Sequence, residues 1–521
     1  MSKTVKRVLY IAGILAVLFV GGRAFIFWKL KSTIITKIEE LRGKGFLINY
    51  SSIESNSFTG SLVIHALEID KSSADSVCST SGTIEKFEVK GISILSFLLK
   101  KRLSLSSITL TRPWIQYSAH PRRKSAEMVE DRSEKNPLKG LEIGTLKIDS
   151  GRFQMVDSAS CSVSLASRFN LDIEKFAITS LDTDSLRWRM DRFVVNGLNL
   201  DLPKKFYRAS IQQLAYSRDD KSIQLDCLRL IPTLDRKEFA RRSNDQVDQF
   251  TLIMPSLKVN DLEMSETLHP SVIAREVNLN FNMNVYRDKR YERQWRKPKI
   301  LPMDFLHKLS FPLKIDSLIL SPSDIVYEER PEENDGVGKI SFNELAVRIF
   351  NISNDSIGES LMKVHTKFMN VGEMNVDFTF PHEKSKPYGV RGSLVNFPMP
   401  AINTMLEPAA LIKIESGELQ AMKFNFQYNH QESNGELELR YGDLKVIAIK
   451  KEDKSKNEIV SFIIKVLLKK KIDRSDPLDK RVGTIHWERD TQKAVLNYWW
   501  KSVLSGVKSV FGFDSSKSKK K

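Results

Sequence analysis

The sequence predicts a mainly β protein: an N-terminal transmembrane helix, then an elongated repetitive antiparallel β-sheet groove, then C-terminal amphipathic helices. Three observations predict it. Apolar and polar residues alternate with a period of two through most of the chain after Phe46, which places the opposite faces of an extended strand in different surroundings. A long apolar run with basic flanks precedes that region, and helical spacing of apolar residues returns after 455. The 521 residues are 41% hydrophobic and 28% charged, a balance that suits a folded body and excludes a disordered or wholly membrane-embedded one.

The N-terminal stretch "VKRVLYIAGILAVLFVGGRAFIFWKLK" has Lys6 and Arg7 before an apolar run from Val8 to Gly22, then Arg23, then Ala24 to Trp28. From Val8 to Trp28 it is long enough to cross a ~30 Å hydrocarbon core, with Trp28 at an interface. A cleaved signal peptide, cut near Gly22 and Ala24, is the other reading; Arg23 and the apolar continuation weigh against it. Both readings place the body outside the cytoplasm, because long domains translocate largely regardless of charge. "KSTIITKIEELRGKG" reads as a short amphipathic helix stopped at Gly43 or Gly45. Residues 1–30 are thus the cytoplasmic stub and anchor, and 31–119 a helix and β module.

In the body, "VNLNFNMNV" sets Val277, Leu279, Phe281, Met283 and Val285 on one side and four asparagines on the other. Asparagine is a poor strand former, so the five apolar side chains must hold the segment extended by burying against something. The asparagines read as uncharged, water-facing polarity. "GSLVIHALEID", Val195–Leu202, Met422–His430 and Gly435–Ile449 also alternate, and Gly442-Asp443 reads as a hairpin turn. Ser104–Tyr117, Glu142–Met155 and Lys314–Tyr327 share a template with Leu or Ile at the second, fifth and seventh places, and Leu252–Met264 repeats its middle. Each copy reads as strand, tight turn, strand.

Polar interruptions at 120–137, 235–249 and 286–299 mark boundaries. They give a polar linker at 120–140, central β-groove repeats at 141–310 and a C-terminal β-groove module at 311–455. Cys78, Cys161 and Cys227 lie far apart, form no CxxC, and read as buried small residues.

Residues 456–521 hold the amphipathic helices and a basic tail. "NEIVSFIIKVLLKKK" is too short to span a bilayer. In "KAVLNYWWKSVLSGVKSVFGF", Leu496, Trp499, Trp500, Val503, Val507, Val510 and Phe511 share one face. Such a helix either lies on a membrane, with Trp28, Leu496, Trp499, Trp500, Val503 and Phe511 as membrane-interface candidates, or caps the open end of a sheet.

No HExxH, zinc-spaced cysteine pair, GxSxG or Walker A motif occurs. The expectation is therefore no catalytic residue, no metal site and no cofactor. The net charge of +17 points to anionic partners. Tyr286, Tyr291 and Trp295 among basic residues suit nucleic acid, but an exported body rarely meets it, so no nucleic-acid partner is expected. The residues expected to line a lipid groove are Val277, Leu279, Phe281, Met283, Val285, Met422, Phe424 and Phe426.

After the anchor and helix, "INYSSIESNSFTGSLVIHALEID" resembles the start of the AsmA-like family. "LKIDSGRFQMVDS" and the block with Pro400, Gly417, Gly435 and Tyr441-Gly442-Asp443-Leu444 are similar to that family's recurrent modules. The likeness covers nearly the whole chain and is carried by apolar rhythm. It implies a single-pass inner-membrane protein with its bulk in the periplasm, related in architecture to TamB and chorein-type bridge proteins. Its implied function is non-enzymatic: binding or passing phospholipid along the groove and supporting outer-membrane biogenesis. The chain departs in being shorter than the large bridging members and in ending with two amphipathic helices. The alternative is a membrane-anchored scaffold whose dry β-core recruits envelope protein partners.

Overall fold

The computed structural model describes residues 31–32, 35–42, 45–71, 78–93, 96, 100–119, 139–180, 187–265, 267, 271–293, 298–332, 334–449 and 481–512. The expected anchor with Trp28, most of the linker at 120–140 and the first C-terminal amphipathic helix lie outside these. Among the described residues no helix is long and apolar enough to cross a membrane. The protein is mainly β, in long, mostly antiparallel strands with few helices. It forms two compact units: residues up to Leu225 with 266–268, and residues 226–265 with 269 onward.

The first unit holds helix α1 at 35–42 and strands β1 (Phe46–Asn49), β2 (Ser52–Asn56), β3 (Ser61–Lys71), β4 (Thr80–Lys90), β5 (Arg102–Thr111), β6 (Trp114–Ala119), β7 (Gly140–Asp157), β8 (Val163–Ser180), β9 (Arg187–Arg189), β10 (Arg192–Leu202) and β11 (Tyr207–Ser217). The chain passes between units within β12 (Ser222–Pro232). The second unit holds α2 (Arg236–Ser243), β13 (Asp248–Asn260), β14 (Glu263–Met264), β15 (Val272–Asp288), α3 (Pro302–His307), β16 (Leu313–Arg330), β17 (Gly338–Ser353), β18 (Glu359–Phe368), β19 (Gly372–Pro381), β20 (Tyr388–Pro398), α4 (Asn403–Ala410), β21 (Ile412–Tyr428), β22 (Glu432–Ala448), β23 (Arg481–Glu488) and α5 (Val495–Val510).

Most neighbours pair antiparallel, but each unit has a parallel step. β5 and β6 both run parallel to β7, and β15 runs parallel to β16. Parallel neighbours need a long connection, and the polar stretches beginning at 120 and 289 are those connections. Gly140, assigned to the linker from sequence, is instead the first residue of β7.

The template read as strand, tight turn, strand is a single strand line with a kink or bulge. Ser104–Tyr117 lies alongside Glu142–Met155 in parallel, residue for residue, through β5 and β6. At the kink Arg112 has φ 48° and Ser150 φ 55°. Arg112 N donates to Asp149 O at 2.8 Å, and Arg152 N to Pro113 O at 2.8 Å, so the ladder continues across it. In Lys314–Tyr327 the register shifts between Leu320 and Ile325 without a change of direction. Gly442-Asp443, expected as a hairpin turn, is likewise a bulge inside β22, with Asp443 at φ 49°. Residues that tolerate positive φ suit a turn and a bulge equally.

The cysteines differ from expectation. Cys78 and Cys161 form a disulfide across 83 residues, with Cα atoms 5.6 Å apart. It sits where β4, β6 and β7 end together: Ser118 N donates to Thr80 Oγ1 and Ser158 N to Ala119 O. Cys227 is a half-buried free thiol in β12.

Candidate apolar binding face

In antiparallel and parallel ladders alike, residues opposite one another share a face, so the register defines what each face presents. In the second unit one row runs Leu257, Leu279, Leu320, Val347, Val364, Val376, Gly392, Phe424, Leu437 and Gly483 from β13 to β23. A parallel row runs Val277, Leu318, Ile349, Met362, Phe378, Val390 and Phe426. Leu279 therefore shares a row with Phe424 and Val277 a row with Phe426, which puts these candidates of β15 and β21 on one face. Gly392 keeps its row level, since a Cβ there would stand 2.3 Å from the Phe424 ring.

The burial of this face changes along its length. On β19 to β23 it is a packed core: Met422, Phe424 and Phe426 are buried with Phe378, Val390 and Leu437. On β15, Val277 and Val285 are buried, but Leu279, Phe281 and Met283 are half-exposed and belong to no buried cluster. The first unit repeats the pattern, with Leu62, Val89, Ile108, Leu146, Ile173, Phe193 and Tyr216 in one row. There α1 closes the β1–β3 end, where Ile38 packs with Ile48, Ile53, Leu62 and Ile64. From β7 to β11 the members of that row are half-exposed.

Two connections close the packed part of the second unit. Leu301 and Met303, at the start of α3, are buried in the core, and Asp304 is fixed by His430 Nε2 at 2.9 Å. The helix α5 lies along β22 and β23. It leaves Leu496 and Trp500 in solvent while Trp499, Val503 and Phe511 pack against the core. Of the two readings of this helix, the geometry matches the cap. Gly483 and Gly506 permit the approach: a Cβ on Gly483 would stand 2.3 Å from Gly506 O. Thr484 N donates to Ser509 Oγ at 2.9 Å and His486 N to Ser505 Oγ at 3.1 Å, so two backbone donors on the outer side of β23 are satisfied by the helix. A covered edge is protected from pairing with other chains.

The asparagines opposite the candidates do more than face water. Asn280 Oδ1 accepts from Ser256 N and Ser256 Oγ, and Asn282 Oδ1 accepts from Asp324 N. Ser256 and Asp324 stand where β13 and β16 bulge against β15, so the asparagines supply the acceptors that the interrupted ladder lacks. At the far end of β15 the same face ends in paired charge. Arg287 grips Asp248 with two bonds of 2.7 Å, Lys289 Nζ meets Glu329 at 2.7 Å, and Tyr327 Oη donates to Glu329 at 2.7 Å. Burial, then the Glu329 charge, pushes ionisation of Tyr327 well above the usual phenol range.

Among the described residues no group of three or more His, Cys, Asp and Glu side chains is placed to hold a metal ion. No protein-family model matches the chain, and no curated protein matches it. Register continuity and the burial gradient were beyond sequence reasoning, although the alternation in Val277–Val285 and Met422–Phe426 did show which side chains of each strand share a face.

Proposed function

We propose that the protein is a non-enzymatic lipid-binding component of a cell envelope, whose apolar sheet faces take the acyl chains of phospholipid. The carrying observation is the set of half-exposed apolar rows, Leu257, Leu279 and Val347 in the second unit and Ile173, Phe193 and Tyr216 in the first, which outrun the buried clusters. Transfer of each CH₂ from water to such a surface is worth about 0.8 kcal/mol, so no reaction is needed. The resemblance to AsmA-like proteins supports placing the body in a periplasm behind an inner-membrane anchor. The Cys78–Cys161 bond supports an oxidising compartment of that kind.

A scaffold with a dry core is the second reading, and the packing of Met422, Phe424 and Phe426 beneath α3 and α5 favours it for that end of the sheet. Mass spectrometry of lipids co-purifying with the full chain separates the two. Phospholipid is expected with the native chain and absent from Leu279→Asp with Phe281→Asp, while the melting curve stays in place. A lipid-free native protein, or a double variant that unfolds, decides for the dry core.

A further inference from the structure

One end of the second unit gathers apolar side chains that the core does not use. The register brings the start of β16, the β17–β18 and β21–β22 turns and the end of β23 to the same side. There Ile357 is 81% exposed, Phe305 58%, Leu496 69% and Trp500 43%. α3 and the approach to α5 are fastened together: Lys299 N donates to Thr491 O at 2.7 Å and Arg489 Nη2 to Lys299 O at 2.6 Å. Both helices already bury their inner faces, through Met303 on one and Tyr498 on the other. Phe305, Leu496 and Trp500 therefore point away from a core that is complete without them.

The charge of these segments selects the occupant. Residues 491–512, which include α5, carry Lys493, Lys501 and Lys508 and no acid, and Lys299 and Lys308 flank α3, whose Asp304 is held by His430; the neighbouring turns contribute the acids Asp355, Glu359 and Glu432. On α5 the exposed pair Leu496 and Trp500 is flanked by Lys493, which precedes the helix and meets Asp490 at 3.5 Å, and by Lys501, whose ammonium lies over the Trp487 ring at 5.4 Å. An aromatic and an aliphatic side chain on a helix flanked by lysines match a bilayer of anionic headgroups, where apolar tips enter the headgroup layer and lysines meet phosphate. A protein partner would explain the apolar residues but not a helix whose only charged side chains are lysines. We propose that this end of the second unit docks on an anionic phospholipid surface through Phe305, Leu496 and Trp500. The docking goes beyond the lipid-binding reading and holds whether or not acyl chains occupy the sheet.

The test uses the full chain reconstituted with vesicles containing phosphatidylglycerol with brominated acyl chains, a quencher of indole emission. The difference between the native chain and Trp500→Phe isolates Trp500. Its emission is expected to fall at least about twofold with brominated lipid, and to recover in Lys493→Glu with Lys501→Glu at an unchanged melting temperature. Trp500 emission that ignores bromination overturns the proposal. So does equal quenching in uncharged vesicles, or zero-length crosslinking of this patch to a second copy or another protein. Because the readout reports one surface side chain, it can fail while lipid still co-purifies, and the converse.

Discussion

Breaking the Cys78–Cys161 bond should weaken the first unit more than any single side-chain loss there. The bond closes a loop of 83 residues that contains β5, β6, the parallel step and β7. Loop-closure entropy for that length amounts to about 4.5 kcal/mol at room temperature, a large share of the roughly 5–15 kcal/mol by which domains are usually stable. For a unit of this size that corresponds to a melting shift of roughly 10–20 °C. The position of the bond strengthens the expectation, since it pins the ends of β4, β6 and β7 where the long connection departs and where closure is otherwise costly. The assay is denaturant unfolding of a Cys227→Ser chain with and without reductant, with Cys161→Ser as the genetic equivalent. Coincident curves with and without reductant would refute the reasoning. So would alkylation of all three native cysteines in the unfolded, unreduced chain.

Three further outcomes follow from the second unit. Asn280→Ala should destabilise by about 1–2 kcal/mol, because it strips the acceptor from Ser256 N at a bulge, whereas an exposed control such as Lys258→Ala should stay within about 0.5 kcal/mol in the same urea titration. Gly483→Val should unseat α5 at a cost of at least about 1–3 kcal/mol, seen as a red shift of Trp499 emission and a lower melting point; an unchanged spectrum would mean that the Gly483–Gly506 approach is not tight. Alkaline pH should open the C-terminal core. Burial pushes Tyr388 up to about 12 and Tyr428 and Tyr498 well above the usual phenol range, so the folded state holds protons that the unfolded chain releases near pH ~10. The stability these phenols contribute is complete below that pH and lost as pH rises towards 12. Near-ultraviolet phenolate absorbance should rise together with loss of structure; free titration of all twelve tyrosines in the folded protein would contradict it.

The fold class and the inward face were legible because alternation is a property of the strand itself. Val277 to Val285 and Met422 to Phe426 needed no partner to declare their side. The bulges were not legible: Asp149-Ser150-Gly151, Ser321-Pro322-Ser323 and Gly442-Asp443 have the composition of turns, and only the neighbouring strand distinguishes a reversal from a kink. The role of Asn280 and Asn282 was hidden for the same reason, since their acceptors serve a defect in another strand. For α5 the helical spacing was clear, but which apolar residues pack was decided by two glycines far apart in sequence. The candidate site was thus half visible, as a face without its extent.

The pairing of Ser104 with Glu142 holds the same offset of 38 residues from Arg102 with Gly140 through Ala119 with Asp157. A slip of one residue in this pairing would turn every side chain of the strand to the other face, so the unbroken offset shows that the kink at Arg112 and Pro113 and the kink at Asp149 to Gly151 stand side by side and cancel, leaving β5 with β6 and β7 in one register throughout.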